Sequence, residues 1–573
     1  MRTVLTTLHS KFIHSSLSLP CLAAFCREGC GEIRIREFTI HEPRESILRM
    51  LLDEDPDVVA FSVYIWNRRQ TFDLIDALSV AMPGLRIIIG GPETSCAGEE
   101  LFRQHPGITA LIHGEGELPL RDLLRAWNQR KEPGPIPRLT RKAGAAIISG
   151  PDGPVLDPLD SLPSALLLNL VCLDHGFVYY ETSRGCPFKC SFCLSAKDSQ
   201  VRYYSMERVE SDLLFLMQKE VAKIKLVDRT FNIHPERTRK IFQYILKHNR
   251  SSHFHFEIAA HLLDEATLSL LEQVPPDMFQ FEIGIQSTLG NTLSTVDRDT
   301  DLKLAEQNIL RLRKNTKVHL HLDLVAGLPG ERYSDILNSI DRVLFLCPQH
   351  LQIEPLKVLP GTPLYDQAEE LSLHYDPNPP YTILKTNTID FSQLSRLNEI
   401  SRLVDLLYNS HKFSTFLQIL SESFGSYSAA LEDLAAFWHK QGWFRFPTAR
   451  QIIYDYCWTY IKFKFPDKPC RLKEALAYDY AGAERITTNR VPEFLQTELT
   501  TSEQAWIRQQ VKAKTETVKG KGIKLQYFAA QFSNLPDVSS RTIILFFYLT
   551  QPGEKMKTEE QRLPDRPIDS ANS

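Results

Sequence analysis

Long apolar runs are missing from this chain. No stretch reaches the ~18 residues that a membrane-spanning helix requires, and the opening Met1-Arg2-Thr3-Val4-Leu5-Thr6-Thr7 has too many polar interruptions for a secretion signal. An excess of one charge is missing too: 66 lysines and arginines stand against 70 aspartates and glutamates, so a net charge of −4 leaves no basic field for nucleic acid. The eleven cysteines show no pairing pattern of the kind a disulfide scaffold uses. No second cysteine pair follows at zinc-ribbon spacing. These absences lead us to expect a soluble protein of a reducing compartment, the cytoplasm, with neither membrane nor nucleic acid as a partner.

With 573 residues and 43% hydrophobic content, the chain has material for roughly three domains of ~150 to 200 residues. Residues 1–135 alternate β-branched runs (Val4 to Leu8, Ile33 to Thr39, Val58 to Val63, Arg86 to Gly90, Ala110 to Gly114) with segments of helical period, which predicts a doubly wound, flavodoxin-like α/β sheet of five parallel strands. Ligands of such sheets sit at the carboxyl ends of the strands. Here those ends carry His9, Ser62, Tyr64, Trp66, the glycines of Gly90-Gly91-Pro92-Glu93 and those of Gly114-Glu115-Gly116-Glu117. Residues 136–170 are dense in proline and glycine and read as a linker. Regular βα alternation resumes over 171–384, with strands near 177–183, 223–228, 253–258, 278–287, 318–326 and 350–356, a partial (βα)6 barrel. Residues 385–552 turn mostly helical, although 525–528 and 542–549 are rich in strand formers, and 553–573 read as a disordered tail.

The first barrel strand runs into Arg184-Gly185-Cys186-Pro187-Phe188-Lys189-Cys190-Ser191-Phe192-Cys193. A C-x3-C-x2-C loop offers three thiolates to a four-iron cluster and leaves one iron open to a substrate. This spacing, with Phe192 ahead of the last cysteine and the apolar strand Phe177-Val178-Tyr179-Tyr180 before it, resembles the radical SAM superfamily. Preceded by the α/β module and its two glycine-rich turns, it is similar to the cobalamin-dependent branch of that family, members of which carry an uncharacterised C-terminal domain. The resemblance implies a cobalamin-binding domain at 1–135, a radical SAM domain at 171–384, and three cofactors: a 4Fe-4S cluster on Cys186, Cys190 and Cys193, S-adenosylmethionine (SAM), and cobalamin.

By barrel geometry and resemblance, SAM contacts are expected from Phe192, Asp228, Glu282, Gln286, Gly327 and Gly330. Alternation along Phe279-Gln280-Phe281-Glu282-Ile283-Gly284-Ile285-Gln286 puts Glu282, Gly284 and Gln286 on one face. Cobalamin contacts are expected from His9, Ser62, Tyr64, Trp66, Gly90, Gly91, Gly114 and Gly116. The chain has no Asp-x-His-x-x-Gly, so the resemblance implies a corrinoid with its own base detached and no protein histidine on cobalt. Cys26 and Cys30 lack a third thiol at cluster spacing and read as structural. The implied activity is methylation of an unactivated carbon in an unknown small-molecule or peptide substrate, fed by an external electron donor such as flavodoxin or ferredoxin. Two alternatives stay open: a cobalamin-dependent radical rearrangement or cyclisation, and a radical SAM enzyme whose first module is a docking domain without cobalamin.

Overall fold

A computed structural model describes residues 1–466, 470–487, 491–495, 498–538 and 540–563. The chain divides into two compact units, the first comprising 1–333, 346–349 and 355–391, the second 334–345, 350–354 and the residues from 392 onward.

The first unit opens with a sheet built from β1 (Arg2–His9), β2 (Glu32–Thr39), β3 (Val58–Ser62), β4 (Arg86–Gly90), β5 (Ile108–Ile112), β6 (Leu139–Ala143) and β7 (Ala146–Ser149), in the order β2-β1-β3-β4-β5-β6-β7. The five strands β1 to β5 are parallel. Helices on both faces explain why the central strands are apolar throughout: Val59, Phe61, Ile87 and Ile89 feed one core, while Val58, Ala60, Ile88 and Ala110 feed the other. The segment read as a linker departs from expectation. It supplies β6, antiparallel to β5, and β7, antiparallel to β6; β-branched residues at Thr140, Ile147 and Ile148 are enough for a short hairpin, and the prolines flank it.

Next come β8 (Val178–Tyr180), the two-residue pair β9 (Ser183–Arg184) and β10 (Arg202–Tyr203), then β11 (Lys223–Leu226), β12 (His253–Glu257), β13 (Phe279–Gln286) and β14 (His319–Ala326). Strands β8, β11, β12, β13 and β14 pair in that order and in parallel, with helices between them. The inner and outer faces separate by residue type. Phe254, Phe256, Phe279 and Phe281 are fully buried with Phe242 of the helix Pro235–His248, the Phe242–Phe279 ring centroids being 5.1 Å apart. A sixth strand, β15 (His350–Pro355), lies mostly in the second unit, and the short antiparallel pair β16 (His374–Tyr375) and β17 (Ile383–Lys385) in the first.

The second unit is helical over Phe391–Leu403, Ser414–Phe424, Tyr427–Gln441, Arg450–Lys464 and Cys470–Ala483. Its aromatics pack its core, with Trp438, Tyr454 and Tyr460 fully buried and the Trp443 and Tyr456 rings stacked at 3.8 Å. After the helix Thr501–Val518 come β18 (Lys524–Phe532), β19 (Thr542–Thr550) and β20 (Lys557–Arg562), an antiparallel sheet. The disordered tail read from residue 553 is corrected by β20, which the long apolar strand β19 recruits despite its charged sequence; residues 564–573 lie outside the described residues. No helix among the described residues is long and apolar enough to cross a membrane.

Candidate functional site: two cavities in the first unit

A cavity of about 530 Å³ opens at the carboxyl ends of β1, β3, β4 and β5. Its walls are backbone and small side chains at Ser62, Gly90, Gly91, Gly114 and Gly116, the ring of Tyr64, and the apolar ends Ala60, Ile88 and Ile112. Glycine at 91 is required: φ is +104°, and a Cβ would come within 2.5 Å of the Val63 carbonyl oxygen. The far wall comes from the cysteine-bearing part of the same unit, through Arg184, Gly185, Ser195, Lys197, Val227 and Arg229. A largely apolar wall, opened by glycines at the strand ends, leaves room for a broad macrocycle, so the residues present fit a corrinoid.

Two expected residues lie off this cavity. His9 is buried, with Nε2 2.8 Å from Glu37, and Trp66 stacks on Tyr64 at 4.5 Å while its indole N–H donates to the Leu8 carbonyl. The glutamates of the glycine-rich turns are held by partners: Glu93 lies off the cavity, while Glu115 and Glu117 border it with their carboxylates engaged. Glu93 pairs with Arg68 at 3.1 Å and accepts from the Tyr381 hydroxyl; Glu115 pairs with Arg202 at 2.5 Å, and Glu117 with Arg184 at 2.8 Å. Burial works against the Glu115 charge, but the Arg202 hydrogen bond and the nearby Arg184 hold its carboxyl below the usual range.

A second cavity, about 220 Å³, lies at the carboxyl ends of β11 to β14 and is lined by Cys186, Cys190, Cys193 and Phe192. It shares Ser195 and Arg229 with the first. Gly185 starts the cysteine loop at φ +96°, so close to Gln200 that a Cβ would collide with its carbonyl oxygen. Cys186 and Cys190 are buried. Burial pushes the Cys190 thiol up, and Arg298, whose guanidinium lies 3.6 Å from Sγ, opposes that shift. Among the described residues no three His, Cys, Asp or Glu side chains are set to hold a single ion; a cubane asks for something else, one thiolate on each of three separate irons, and three adjacent thiols around a polar cavity fit that demand.

The alternation along β13 emerges as read. Glu282, Gly284 and Gln286 all line the second cavity, while Phe281 and Ile283 are buried in the core. Glu282 receives His255 Nε2 at 3.0 Å, which holds its carboxyl below the usual range. Gln286 sits at φ +67°, where the register with β14 slips, and folds back so that its amide occupies the space a Cβ on Gly284 would take.

Asp228 behaves differently from expectation. It is 1% exposed and does not line the cavity; its carboxylate accepts from the Thr182 backbone N–H at 3.0 Å, the Thr182 hydroxyl at 2.6 Å and the Ser183 hydroxyl at 2.5 Å. Burial raises its pKa against those bonds. It therefore ties down the strand that leads into the cysteine loop. Gly327 and Gly330 form the turn after β14, at φ +93° and +80°, and also lie off the cavity.

Sequence reading passes over Glu257, Asp323, Arg229 and Arg298, all of which line the second cavity. Burial pushes the Glu257 carboxyl up to about 7, against the opposing charge of Arg229, and raises Asp323. The signal is present in the polar positions of His253-Phe254-His255-Phe256-Glu257 and His319-Leu320-His321-Leu322-Asp323, the same alternation that reveals β13.

Comparison with known families gives three matches along the chain: the B12 binding domain over residues 3–124, the radical SAM superfamily over 180–343, and a protein family of unknown function, DUF4080, over 369–537. The cobalamin-dependent radical SAM methyltransferase TokK of Streptomyces tokunonensis is 26% identical over 434 residues, covering 68% of this chain and 60% of that protein. The hopanoid C-3 methylase of Methylococcus capsulatus is 32% identical over 209 residues, 34% of this chain and 39% of the methylase. This chain thus spans less than two thirds of either relative. Among solved structures, the cobalamin-dependent S-adenosylmethionine radical enzyme OxsB, with aqua-cobalamin and S-adenosylmethionine bound, superposes with a TM-score of 0.57 at 16% identity, covering 91% of this chain and 81% of OxsB. The methyltransferase TsrM of Kitasatospora setae gives 0.55 at 16% identity, covering 67% of this chain and 80% of TsrM. The radical SAM domain implies a 4Fe-4S cluster and SAM, and the B12 binding domain implies cobalamin. Along the chain, then, a B12 binding domain and a radical SAM domain are followed by a domain of unknown function, and two of the proteins it resembles, TokK and OxsB, are cobalamin-dependent radical SAM enzymes.

Proposed function

We propose that this protein is a cobalamin-dependent radical SAM methyltransferase that methylates an unactivated carbon. The observation that carries the reading is the shared wall: the cavity at the first sheet's strand ends and the cavity holding the three cysteines meet at Ser195 and Arg229. When bound, the cluster with SAM supplies hydrogen-abstracting chemistry and the corrinoid supplies a methyl carrier. The chain's own residues do the rest. Cys186, Cys190 and Cys193 would hold the cluster, with Arg298 offsetting thiolate charge at Cys190. Glu282, fixed by His255, presents a charged acceptor suited to ribose hydroxyls. Glu257, shifted to about 7, is able to hold or release a proton inside the cavity near neutral pH. The apolar ends Ala60, Ile88 and Ile112 would exclude water from the corrinoid side.

The methylase and methyltransferase names among the relatives support this over rearrangement or cyclisation, and the B12 binding match supports it over an empty docking module. The test is anaerobic. Reconstituted, reduced protein supplied with hydroxocobalamin and SAM should yield both 5′-deoxyadenosine and S-adenosylhomocysteine. Formation of 5′-deoxyadenosine alone, with no corrinoid retained, would leave the docking-module reading in its place.

A further inference from the structure

Two motifs far apart in the chain, Gly114-Glu115-Gly116-Glu117 and Arg184-Gly185-Cys186, are joined by a buried charge network. Arg184 pairs with Glu117 and Glu181, each at 2.8 Å, and lies 3.6 Å from Glu115. Arg202, whose side chain is 3% exposed, pairs with Glu115 at 2.5 Å and Asp198 at 2.8 Å, and donates to the Leu156 carbonyl at 2.6 Å. Asp198 in turn accepts the Cys186 backbone N–H on its carbonyl oxygen at 2.9 Å. An unbroken chain of contacts therefore runs from the fifth-strand turn, which forms the first cavity's wall, through Arg202 and Asp198 to the backbone of the first cysteine. Arg202, Arg184 and Glu117 are largely desolvated while Glu115 and Asp198 keep partial contact with solvent, so loss of a partner costs most where it leaves either arginine or Glu117 unpaired, and the network favours one arrangement over intermediate ones.

We propose that Arg202 and Arg184 are positioning residues that lock the cysteine loop to the Gly114–Glu117 turn, so that a corrinoid in the first cavity and a cluster on Cys186, Cys190 and Cys193 each strengthen the binding of the other. The inference rests on the functional reading above. A ligand that orders the turn orders the cysteine loop, and reciprocity follows because the coupling is a free energy shared by both sites. Neither arginine is required to touch SAM or substrate for this role.

The experiment uses the full chain, with and without a reconstituted cluster, titrated with hydroxocobalamin and followed by its visible absorbance. Cluster-loaded wild type should bind about fivefold or more tightly than the cluster-free form. In Arg202→Gln, with helical circular dichroism and iron content retained, the two affinities should agree within about twofold. Glu117→Gln, which keeps a hydrogen-bonding group against Arg184, supplies the same readout if Arg202→Gln loses its fold, and restoring the carboxylate as Glu117→Asp should recover part of the difference. Equal affinities in wild type, or an undiminished difference in the folded variant, would overturn the inference alone. Failure of both forms to bind hydroxocobalamin would overturn the functional reading with it.

Discussion

The two cavities of the first unit sit at the same place in their sheets yet differ in what their strand ends contribute. At the first sheet, glycine backbone and apolar strand ends make most of the wall, and the charged residues of the turns serve as clasps, Glu115 and Glu117 bordering the cavity with their carboxylates tied to Arg202 and Arg184. At the barrel strands, charged side chains make the wall: Glu257, Glu282, Asp323, Arg229 and Arg298 surround the cysteines. A wall of backbone accommodates a large rigid face and is sensitive to any added atom. A wall of side chains reads individual polar groups and is sensitive to the loss of one. The same substitution should therefore have different consequences in the two places.

The largest effect is expected where the chemistry has no substitute. Replacing Cys186, Cys190 and Cys193 together with alanine should abolish both iron binding and SAM cleavage after anaerobic reconstitution, whereas replacing Cys26 and Cys30, buried in the first sheet's core, should leave iron content unchanged. Retained iron in the triple variant would remove the basis of the contrast between the cavities. Next come two neighbours on β13. Phe281→Ala should cost about 3 to 5 kcal/mol of stability, measured by denaturant unfolding, with little specific effect on SAM. Glu282→Ala should cost roughly 1 to 3 kcal/mol of SAM binding, read by calorimetry with the cluster intact.

Gly91→Ala tests the backbone wall. The added Cβ collides with Val63 at a left-handed position, so a penalty of about 1 to 3 kcal/mol should appear in stability, together with weakened hydroxocobalamin binding and unaltered SAM affinity. A loss of SAM affinity instead would mean that the two walls are not separable. The smallest effect concerns pH. The folded-state pKa of Glu257, about 7, lies above its ordinary 4.5, so the folded protein binds the extra proton. The stability this contributes is fully present below about 4.5 and is lost as pH rises through 7. Unfolding midpoints of wild type and Glu257→Gln should accordingly diverge across that window, the variant gaining on the wild type as pH rises.

The legible parts of this molecule are those carried by local period or spacing. The cysteine loop is a short contiguous motif, and the β13 face follows from alternation, so sequence alone is enough to put Glu282, Gly284 and Gln286 side by side. Asp228 shows the limit of that reading. It does stand at a strand end, but which way a strand-end carboxylate turns is decided by what lies across from it, here Thr182 and Ser183, 46 and 45 residues away. His9 and Trp66 fail to reach the cavity for the same reason, each having a nearer partner in Glu37 or the Leu8 carbonyl. The glutamates at 93, 115 and 117 belong to the same turns as their glycines, yet their separate role depends on arginines and a tyrosine that no spacing rule connects to them.

The hairpin of β6 and β7 carries a practical consequence for anyone dissecting the molecule. The far edge of the first sheet, β2, is outfitted with Glu32, Arg34 and Arg36, which form ion pairs across the surface and make that rim a poor template for another chain. The β5 rim has no such guard, because β6 occupies it. A fragment ending near residue 135 would uncover the apolar strand Ile108–Ile112 with its hydrogen-bonding groups unmatched, and should self-associate; one extended to about residue 150 carries its own cover and is the piece to express.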